Sequence, residues 1–346
     1  MDGLRAFRKT FQPVLERVLR GKEAQGRRVT HDPAVRGYAA YAAQLVMHGG
    51  KRIRPYLADV LYRAAGGREL RRARETWVGL ELFHAFALIH DDIMDEGASR
   101  HGLRTMHAEA SARLKKARRV GDLSRAGESQ GILSGDLLFN WAQELMSKDE
   151  RTRKIFLQMV DEVIYGQMVD VDLSTRKATT SRAIMEKMCL KTAGYTFVRP
   201  MQIGAALAGK EKKLHRFCER FGMPLGIAFQ VQDDLLDLTA TSAETGKTVF
   251  SDLTKRQHTL ATQYVAEHGT HGQRTELSRL MGRRLTEKDR PRIVALFTGS
   301  GAFTQCERLI RRHLDTAERV LTAERLPKKA QMELQELTAS LRDRVR

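Results

Sequence analysis

Two short runs of aspartate are the residues best suited to do chemistry in this chain. The first, DDIMD, covers Asp91–Asp95, and the second, DDLLD, covers Asp233–Asp237, about 140 residues later. Each run has carboxylates at i, i+1 and i+4, so on a helix two of them lie side by side on one face. Carboxylates are rare on apolar helix faces unless a cation compensates them. The pattern therefore indicates hard divalent cations, and Mg²⁺ bridging a diphosphate fits it.

Cationic and polar residues accompany both runs. The box GGKRIRP at 49–55 combines a glycine pair with three cations, and such backbone and guanidinium groups suit phosphate oxygens. Taken singly, each further position could be an ordinary surface residue, but together they favour a diphosphate site; they are Arg100, His101, Arg104, His107, Lys191, Thr192 and Lys247. Ionisation of an allylic diphosphate would leave a carbocation, which apolar walls must keep from water.

Composition and periodicity point to an all-α protein that holds these residues on helices. The 346 residues include only 7 prolines, and long stretches follow the helical apolar period without strand-like alternation. Both acidic runs come at the end of an apolar helical segment, Glu75–Met94 and Glu211–Leu238, and each leads into a polar loop. No linker of the Gly/Ser/Pro type interrupts the chain, so we expect one domain over residues 1–346 with a bundle of ten or more helices around a deep central cavity.

Charge and cysteine usage narrow the classes of protein further. The net charge is +18, with basic runs at 71–74 and 115–119, but few aromatics lie near them and no nucleic-acid motif accompanies them. We therefore expect no nucleic-acid partner, whereas contact with anionic diphosphates or with a membrane surface stays open. The cysteines Cys189, Cys218 and Cys306 have no metal-type spacing, and no apolar run could span a bilayer. A cytoplasmic protein is the expectation.

The motifs taken together resemble the polyprenyl synthetase family, the trans-isoprenyl diphosphate synthases, over about residues 34–260, with further helices in 261–346. The resemblance rests on GGKRIRP, on ELFHAFALIHDDIMD at Glu81–Asp95, on KTAGYTF at Lys191–Phe197, on GIAFQVQDDLLD at Gly226–Asp237, and on SRHG, ILSGDLL, GQMVD and GK elsewhere. It implies the isoprenoid synthase fold, a homodimer, and a Mg²⁺-dependent prenyltransferase of isoprenoid biosynthesis. Such an enzyme condenses isopentenyl diphosphate with an allylic diphosphate.

The resemblance also implies a role for each site residue. Asp91 and Asp95 would bind two Mg²⁺ ions and Asp233 a third, with support from Asp92, Asp234 and Asp237. The allylic diphosphate would be held by Arg100, Lys191 and Lys247, and the carbocation would be stabilised near Thr192 and Gln230. Isopentenyl diphosphate would be held by Lys51, Arg54 and His84.

Two positions depart from the family pattern. His101 stands where the family usually has arginine, and a neutral imidazole is not a fixed cation. Binding of isopentenyl diphosphate is therefore expected to be weaker or pH-dependent. Gln257 stands where the family has a late lysine, and Lys255 or Arg256 nearby could substitute for it.

Product length should depend on the pocket floor beneath Asp91. The 3.6-residue period places Ala87, Phe86 and Phe83 on the same helix face, four, five and eight residues earlier. An aromatic at the fifth position resembles the short-chain synthases, so we expect geranylgeranyl diphosphate (C20), with farnesyl diphosphate (C15) as the alternative.

Three other functions compete with this one. A non-catalytic or regulatory subunit on the same fold is suggested by His101 and Gln257, but both acidic runs are complete. A class I terpene cyclase would use the same metal chemistry without isopentenyl diphosphate, and it normally carries a different second motif. A basic nucleic-acid-binding protein would show steep salt dependence of binding.

Overall fold

A computed structural model describes residues 1–48, 50–146, 148–240 and 250–343. Most of them are helical, which confirms the predicted all-α class. The α-helices are α1 Asp2–Val29, α2 Pro33–His48, α3 Ile53–Ala64, α4 Leu70–Met94, α5 Met106–Lys116, α6 Leu123–Leu145, α7 Glu150–Thr175, α8 Ser181–Met188, α9 Arg199–Leu207, α10 Glu211–Thr239, α11 Ser251–Thr254, α12 Leu260–His268, α13 His271–Leu280, α14 Arg290–Gly299, α15 Ala302–Ala323 and α16 Lys328–Arg342.

Three smaller elements complete the described chain. A π-helical segment, Cys189–Val198, joins α8 to α9, and a 3₁₀ turn spans Glu287–Asp289. The strands β1 Ser99–Arg100 and β2 Leu103–Arg104 pair antiparallel as a short hairpin after α4. In the described ranges no helix combines the length and hydropathy needed to cross a membrane.

The chain divides into two compact units. The first, called the N-terminal unit, consists of Asp2–Asp59 and Gly67–Arg153. The second, called the C-terminal unit, consists of Met1, Val60–Gly66 and Lys154–Arg346. The first acidic run belongs to the N-terminal unit and the second to the C-terminal unit. The single domain over residues 1–346 stays a prediction.

Helix α4 lies at the centre of the N-terminal unit because it is apolar on most of its circumference. Trp77 and Phe83 are fully buried, and α6 packs along α4. A glycine allows the close approach, since a β-carbon at Gly135 of α6 would lie 2.4 Å from the ring of His90. The end of α4 that carries the first acidic run is therefore held tightly against α6.

Helix α10 is the corresponding core element of the C-terminal unit. It buries Leu214, Phe217, Phe221 and Leu225 at the three- and four-residue spacing of one helix face. This helix packs against α15 and against the π-helical segment. The second acidic run is in its last two turns.

Local interactions set the bounds of two further helices. The side chain of Asp122 accepts hydrogen bonds from the backbone N–H groups of Ser124 and Arg125 and starts α6 at Leu123. Helices α11 and α12 are separated by a turn with Arg256 at φ 58°.

Candidate functional site

The first acidic run closes helix α4. Asp91 and Asp95 are half-buried, whereas Asp92 is buried. The Asp95 N–H donates to the Asp91 carbonyl at 2.8 Å, and the Gly97 N–H donates to the Asp92 carbonyl at 2.8 Å. The run thus ends the helix at an ordered turn, as the sequence predicted.

Arg100 lies beside this run and binds Asp92 in a bidentate ion pair. Its Nε donates to both carboxylate oxygens of Asp92 at 2.9 and 3.0 Å, and its Nη2 donates to Oδ1 at 2.7 Å. The same Nη2 lies 3.5 Å from the Asp91 carboxylate. Burial raises the pKa of Asp92 above its ordinary value, although Arg100 opposes this effect. Arg100, which is predicted to bind a diphosphate, therefore lies next to Asp91 and Asp92, two predicted metal ligands.

His101 occupies the turn of the hairpin that carries Arg100. Both turn residues, His101 and Gly102, have positive φ, 51° and 78°, as two-residue hairpin loops of type I′ require. The imidazole of His101 is exposed. Together with Arg100 and His48, it helps to line a small apolar pocket near the first acidic run. The other residues that line this pocket are Leu45, Ala85, Leu88, Ile89, Asp92 and Leu103.

Arg52 anchors the basic box from inside the N-terminal unit. It is buried in the left-handed conformation at φ 59°, and its Nη1 donates to Glu81 Oε2 at 2.5 Å. Its Nη2 donates to the carbonyls of Val46 and Met47 at 2.7 and 3.1 Å. Sequence reasoning did not single out Arg52. It fixes the backbone between the exposed Lys51 on one side and the buried Ile53 and half-buried Arg54 on the other.

His84 lies among the cations predicted to hold isopentenyl diphosphate. Burial lowers its pKa well below the ordinary value, and Arg54, Arg100, Arg52 and His101 lower it further. These effects mean that four positive or basic groups lie close enough to act on one imidazole. The structure therefore brings together the predicted residues Arg54, His84, Arg100 and His101 in one part of the N-terminal unit.

The predicted pocket floor is an aromatic cluster. Phe83 is buried, and Phe86 and Ala87 are half-buried. Phe86 stacks on Phe139 of α6 with ring centroids 4.9 Å apart, and Phe83 contacts both rings at 5.6 and 5.9 Å. His90 packs edge-on against Phe86 at 4.7 Å. Phe139 was missed because nothing in its own segment shows that α6 meets α4 at this level.

The second acidic run forms a carboxylate-rich cluster in the C-terminal unit. Asp233 is exposed, and Asp234 and Asp237 are half-buried. Burial, together with the negative charges of Asp233 and Asp237, raises the pKa of Asp234 to about 7. Burial and the same neighbours raise the pKa of Asp252 well above its ordinary value. Asp252 is a fourth acidic member that the aspartate spacing did not reveal.

Asp237 also has a structural task, because it caps helix α11. Its Oδ1 accepts hydrogen bonds from the backbone N–H and hydroxyl of Ser251 at 3.0 and 2.7 Å, and its Oδ2 accepts from the Asp252 N–H at 3.0 Å. These bonds oppose the rise in the pKa of Asp237 that burial causes. Asp237 therefore fixes the fourth carboxylate beside the second run.

Thr192 and Gln230 form a hydrogen-bonded chain that ends on the second run. The Thr192 hydroxyl donates to Gln230 Oε1 at 2.6 Å, and Gln230 Nε2 donates to Asp234 Oδ1 at 2.8 Å. Thr192 is on the π-helical segment, where the i to i+5 pattern displaces backbone carbonyls from the regular ladder. A β-carbon at Gly226 would lie 2.4 Å from the Cα of Ala193, so this glycine lets the segment approach α10.

Lys191 is held by a buried carboxylate. Its Nζ donates to Asp170 Oδ2 at 2.6 Å, and Lys187 Nζ lies 3.1 Å from Asp170 Oδ1. Burial would raise the pKa of Asp170, but the two lysines hold it below the ordinary value. Asp170 is the last residue of the GQMVD motif, so the sequence pointed to this segment. The contact between Lys187 and Asp170 was not predicted.

Two predicted positions in the C-terminal unit remain. Lys247 lies outside the described residues. Gln257 is half-buried, and its backbone N–H donates to the Asp252 carbonyl at 2.7 Å. Gln257, at the position where the family has a late lysine, is thus hydrogen-bonded through its backbone to Asp252 of the acidic cluster.

The donor sets fit hard divalent cations. All are carboxylate oxygens, and a bound cation would favour the ionised forms of Asp234 and Asp252, whose pKa values burial and neighbouring carboxylates raise. Within the described ranges, no three acidic, histidine or cysteine side chains converge to hold a metal ion by themselves.

Comparison with known proteins gives a consistent result. A family model described as polyprenyl synthetase matches residues 36–296, well over half of the chain. The geranylgeranyl diphosphate synthase of Methanosarcina mazei is 34% identical over 246 residues, 68% of this chain and 70% of that protein. The geranylfarnesyl diphosphate synthase of Aeropyrum pernix is 29% identical over 289 residues, 80% of this chain and 85% of that protein.

A solved structure extends this likeness to the fold. The crystal structure of geranylgeranyl pyrophosphate synthase from Corynebacterium glutamicum, complexed with isoprenyl diphosphate and magnesium, matches with a TM-score of 0.90 at 28% identity. The match covers 96% of this chain and 98% of that one.

Proposed function

The chain belongs to the polyprenyl synthetase family and is a trans-prenyltransferase, and we propose that it makes geranylgeranyl diphosphate. In this proposal it condenses isopentenyl diphosphate with an allylic diphosphate until the product has twenty carbons. One observation carries the reaction type: both acidic runs are complete and each closes a helix. The first lies beside the predicted diphosphate-binding Arg100, and the second is hydrogen-bonded through Gln230 to Thr192, the neighbour of Lys191.

Three Mg²⁺ ions are part of the proposal. Asp91 and Asp95 would hold two of them, with Asp92 in support, and the second run would hold the third through Asp233. When bound, the metal would neutralise a diphosphate and make it a better leaving group. The exposed Asp233 has an open approach, whereas Asp234 and Asp237 are occupied by Gln230 and Ser251 and act as supports.

Cationic side chains would hold the leaving diphosphate. Arg100 is placed by its bidentate bond to Asp92, which leaves its Nη1 for a phosphate oxygen. The ammonium group of Lys191 would bind the diphosphate as well as Asp170. Lys247 would also bind the diphosphate. Because Lys187 stays beside Asp170, that carboxylate would keep a counter-ion during the change.

The carbocation left by ionisation needs dipoles close by and no water. The Thr192 hydroxyl and Gln230 are held in one hydrogen-bonded chain, so their dipoles are oriented before the reaction. The displaced carbonyls of the π-helical segment would add negative potential beside them. Aromatic and aliphatic side chains would form the walls that exclude water.

Isopentenyl diphosphate would bind through Lys51, Arg54 and His84. A neutral His84 can donate one hydrogen bond to a phosphate oxygen, while Arg54 supplies fixed charge. His101 at the hairpin turn would make a further contact. The double bond would attack the carbocation, and the proton lost next would go to the departing diphosphate.

The aromatic cluster of Phe83, Phe86 and Phe139 supports a short product. These rings would close the channel along α4, because Phe86 and Phe139 stack across the α4–α6 contact. A C15 product is the alternative on the short side. The relatives include geranylfarnesyl diphosphate synthases, so a C25 product is the longer outcome that the product assay must distinguish from C20.

We also propose a cytoplasmic homodimer with one functional domain. Helix α7 exposes apolar side chains at helical spacing, which a second copy could cover; they are Leu157, Ile164, Tyr165, Met168 and Val171. The three cysteines are free, as in reducing compartments. Light scattering of the protein and of Tyr165→Lys would test the dimer: a monomer before substitution contradicts it.

The product assay tests the proposed function. The protein is incubated with Mg²⁺, labelled isopentenyl diphosphate and dimethylallyl, geranyl or farnesyl diphosphate, and products are separated by chain length. We expect a C20 product from each primer and none with EDTA. Diphosphate release that is independent of isopentenyl diphosphate would indicate a cyclase instead, and folded protein without turnover would indicate a regulatory subunit.

A further inference from the structure

One end of the N-terminal unit is unusually basic and carries exposed valines. It is formed by residues 27–35, which run from the last turn of α1 through the loop into the first turn of α2, and by residues 115–121, which run from the last turn of α5 into the loop to α6. We call these two segments the basic end. Its exposed cations are Arg27, Arg28, Lys115, Lys116, Arg118 and Arg119.

The two segments adjoin through hydrogen bonds between their helices. Arg113, in the last turn of α5, donates from Nη1 to the Gly37 carbonyl of α2 at 2.8 Å, and its guanidinium covers the Tyr41 ring at 5.0 Å. Arg36 of α2 donates in turn to the carbonyls of Thr30 and Arg27, each at 2.8 Å. The ends of α1 and α5 are therefore both held against the start of α2.

Negative charge at the basic end is scarce and already engaged. Asp32 accepts hydrogen bonds from the backbone N–H groups of Ala34 and Val35, and Asp122 accepts two at the start of α6. Within the described ranges, none of the six exposed cations is paired with a carboxylate. The charge faces solvent and can attract an anionic partner.

The exposed valines point to the kind of partner. Val29 is 86% exposed, Val120 is 95% exposed, and Val35 is 47% exposed. Each stands beside cations at a helix end or in a loop. Cations attract anionic headgroups, and small apolar side chains among them can enter the headgroup boundary.

Backbone strain supports a role for one of these cations. Arg118 follows Ala117, the C-cap residue of α5, and has the left-handed conformation at φ 52°; the Arg119 N–H donates to the Leu114 carbonyl at 3.1 Å. This is the arrangement in which helices prefer glycine. The chain has arginine there, and the left-handed conformation strains its backbone. A function for the positive charge of Arg118 would explain why this strain is tolerated.

We infer that the basic end docks the enzyme on the surface of membranes that contain anionic phospholipid. Nucleic acid fits the surface less well, because neither segment contains a Phe, Tyr or Trp side chain on which a base could stack. Docking goes beyond prenyl transfer and does not depend on it. It would hold a cytoplasmic enzyme at the phase where long apolar chains dissolve.

Vesicle sedimentation tests this inference on the full-length protein. Vesicles of phosphatidylcholine with phosphatidylglycerol are compared with vesicles of phosphatidylcholine alone. We expect binding to the anionic vesicles that salt weakens, and little binding to the neutral ones. Equal binding to both, or to neither, overturns the inference.

Variants locate the contact. Each cation near an anionic surface contributes about five-fold to binding, so replacing Lys115, Lys116, Arg118 and Arg119 by Gln should weaken it at least about ten-fold. The matched control replaces four exposed cations of the C-terminal unit by Gln: Lys210, Lys212, Lys213 and Arg216. An equal loss in both variants would show a non-specific effect of net charge and would contradict the docking surface.

Two single substitutions separate docking from other causes. Arg118→Gly relieves the left-handed strain, so it should unfold at the same or a higher temperature and yet bind vesicles several-fold more weakly. Val120→Ser keeps the charge and should also weaken vesicle binding. Binding to duplex RNA that exceeds vesicle binding and ignores Val120→Ser would mark a nucleic-acid surface and refute the inference.

Discussion

Arg100 and Asp92 form a bidentate ion pair, so a residue that we expect to bind a diphosphate is held by a residue of the first acidic run. Nε of Arg100 lies 2.9 Å, and Nη2 2.7 Å, from the same oxygen of Asp92. This pair divides the first acidic run into two roles. Asp92 positions the guanidinium, whereas Asp91 and Asp95 are the residues that we propose to bind the metal ions.

That division predicts different consequences for neighbouring aspartates. Asp92→Asn removes the charge that compensates the largely buried Arg100, so it should lower the free energy of unfolding by about 2 kcal/mol in the absence of metal. Asp91→Asn should change stability little and slow turnover at least about 100-fold. Thermal unfolding and turnover measured on both variants check this, and equal stability losses would contradict it.

The aromatic cluster predicts how product length changes. Phe139→Ala or Phe86→Ala should open the floor beneath Asp91 and shift the product from C20 towards longer chains. Phe303→Ala, also half-buried but in the C-terminal unit, is the control and should leave the length unchanged. If only Phe86→Ala lengthens the product, Phe139 is ordinary core and the floor is on α4 alone.

The second acidic run predicts that Mg²⁺ stabilises the protein more at about pH 8 than at about pH 5. The pKa of Asp234 is about 7 in the folded state and lies above its ordinary value of 3.8. Between these values the folded protein binds more protons than the unfolded chain, so stability falls as pH rises through that window. Mg²⁺ should restore it by binding the folded state.

Thermal unfolding with and without Mg²⁺ at about pH 5 and about pH 8 measures this linkage. The stabilisation by Mg²⁺ should be larger at the higher pH, and Asp233→Asn should reduce it. A stabilisation that is independent of pH would mean that the cluster does not bind the ion.

His84 predicts a loss of stability in acid. Its folded-state pKa lies well below the ordinary value of 6.5 because of burial and nearby cations. As pH falls below about 6.5, the unfolded chain takes up a proton that folded His84 resists, so the free energy of unfolding decreases. His84→Gln should flatten this decrease, while His271→Gln at an exposed position should leave it unchanged. Denaturant unfolding across that pH range provides the measurement.

The buried pair of Arg52 and Glu81 predicts a large cost for removing one partner. Both side chains are almost fully buried, so Glu81→Gln should destabilise the protein by about 3–5 kcal/mol. The double variant Arg52→Met with Glu81→Leu should recover part of the loss. The double variant should also have a higher KM for isopentenyl diphosphate, because the backbone at Lys51 and Arg54 loses the hydrogen bonds of Arg52. An unchanged KM in the double variant would show that the pair contributes to stability alone.

Local spacing was enough to predict much of the site. Helical period and carboxylate spacing placed Asp91 and Asp95 at the end of α4, and the second run at the end of α10, as the structure has them. Motif resemblance added Arg100, Lys191, Thr192 and Gln230. Each of these signals is contained in a short stretch of chain.

The parts that were missed depend on contacts between distant segments. Phe139 meets Phe86 only because α6 crosses α4 at a glycine, and Asp252 joins the second run only because Asp237 caps α11. The Lys187–Asp170 contact likewise joins α8 to α7. The sequence contains these residues, but their partners become visible only after folding.

The measurement closest to the central claim is elongation by the purified protein compared with Asp91→Asn and Asp233→Asn. With Mg²⁺, labelled isopentenyl diphosphate and farnesyl diphosphate, the unsubstituted protein should form geranylgeranyl diphosphate. Each variant should lose at least about 100-fold in rate while remaining folded. Unchanged elongation by either variant would contradict a site that depends on both acidic runs.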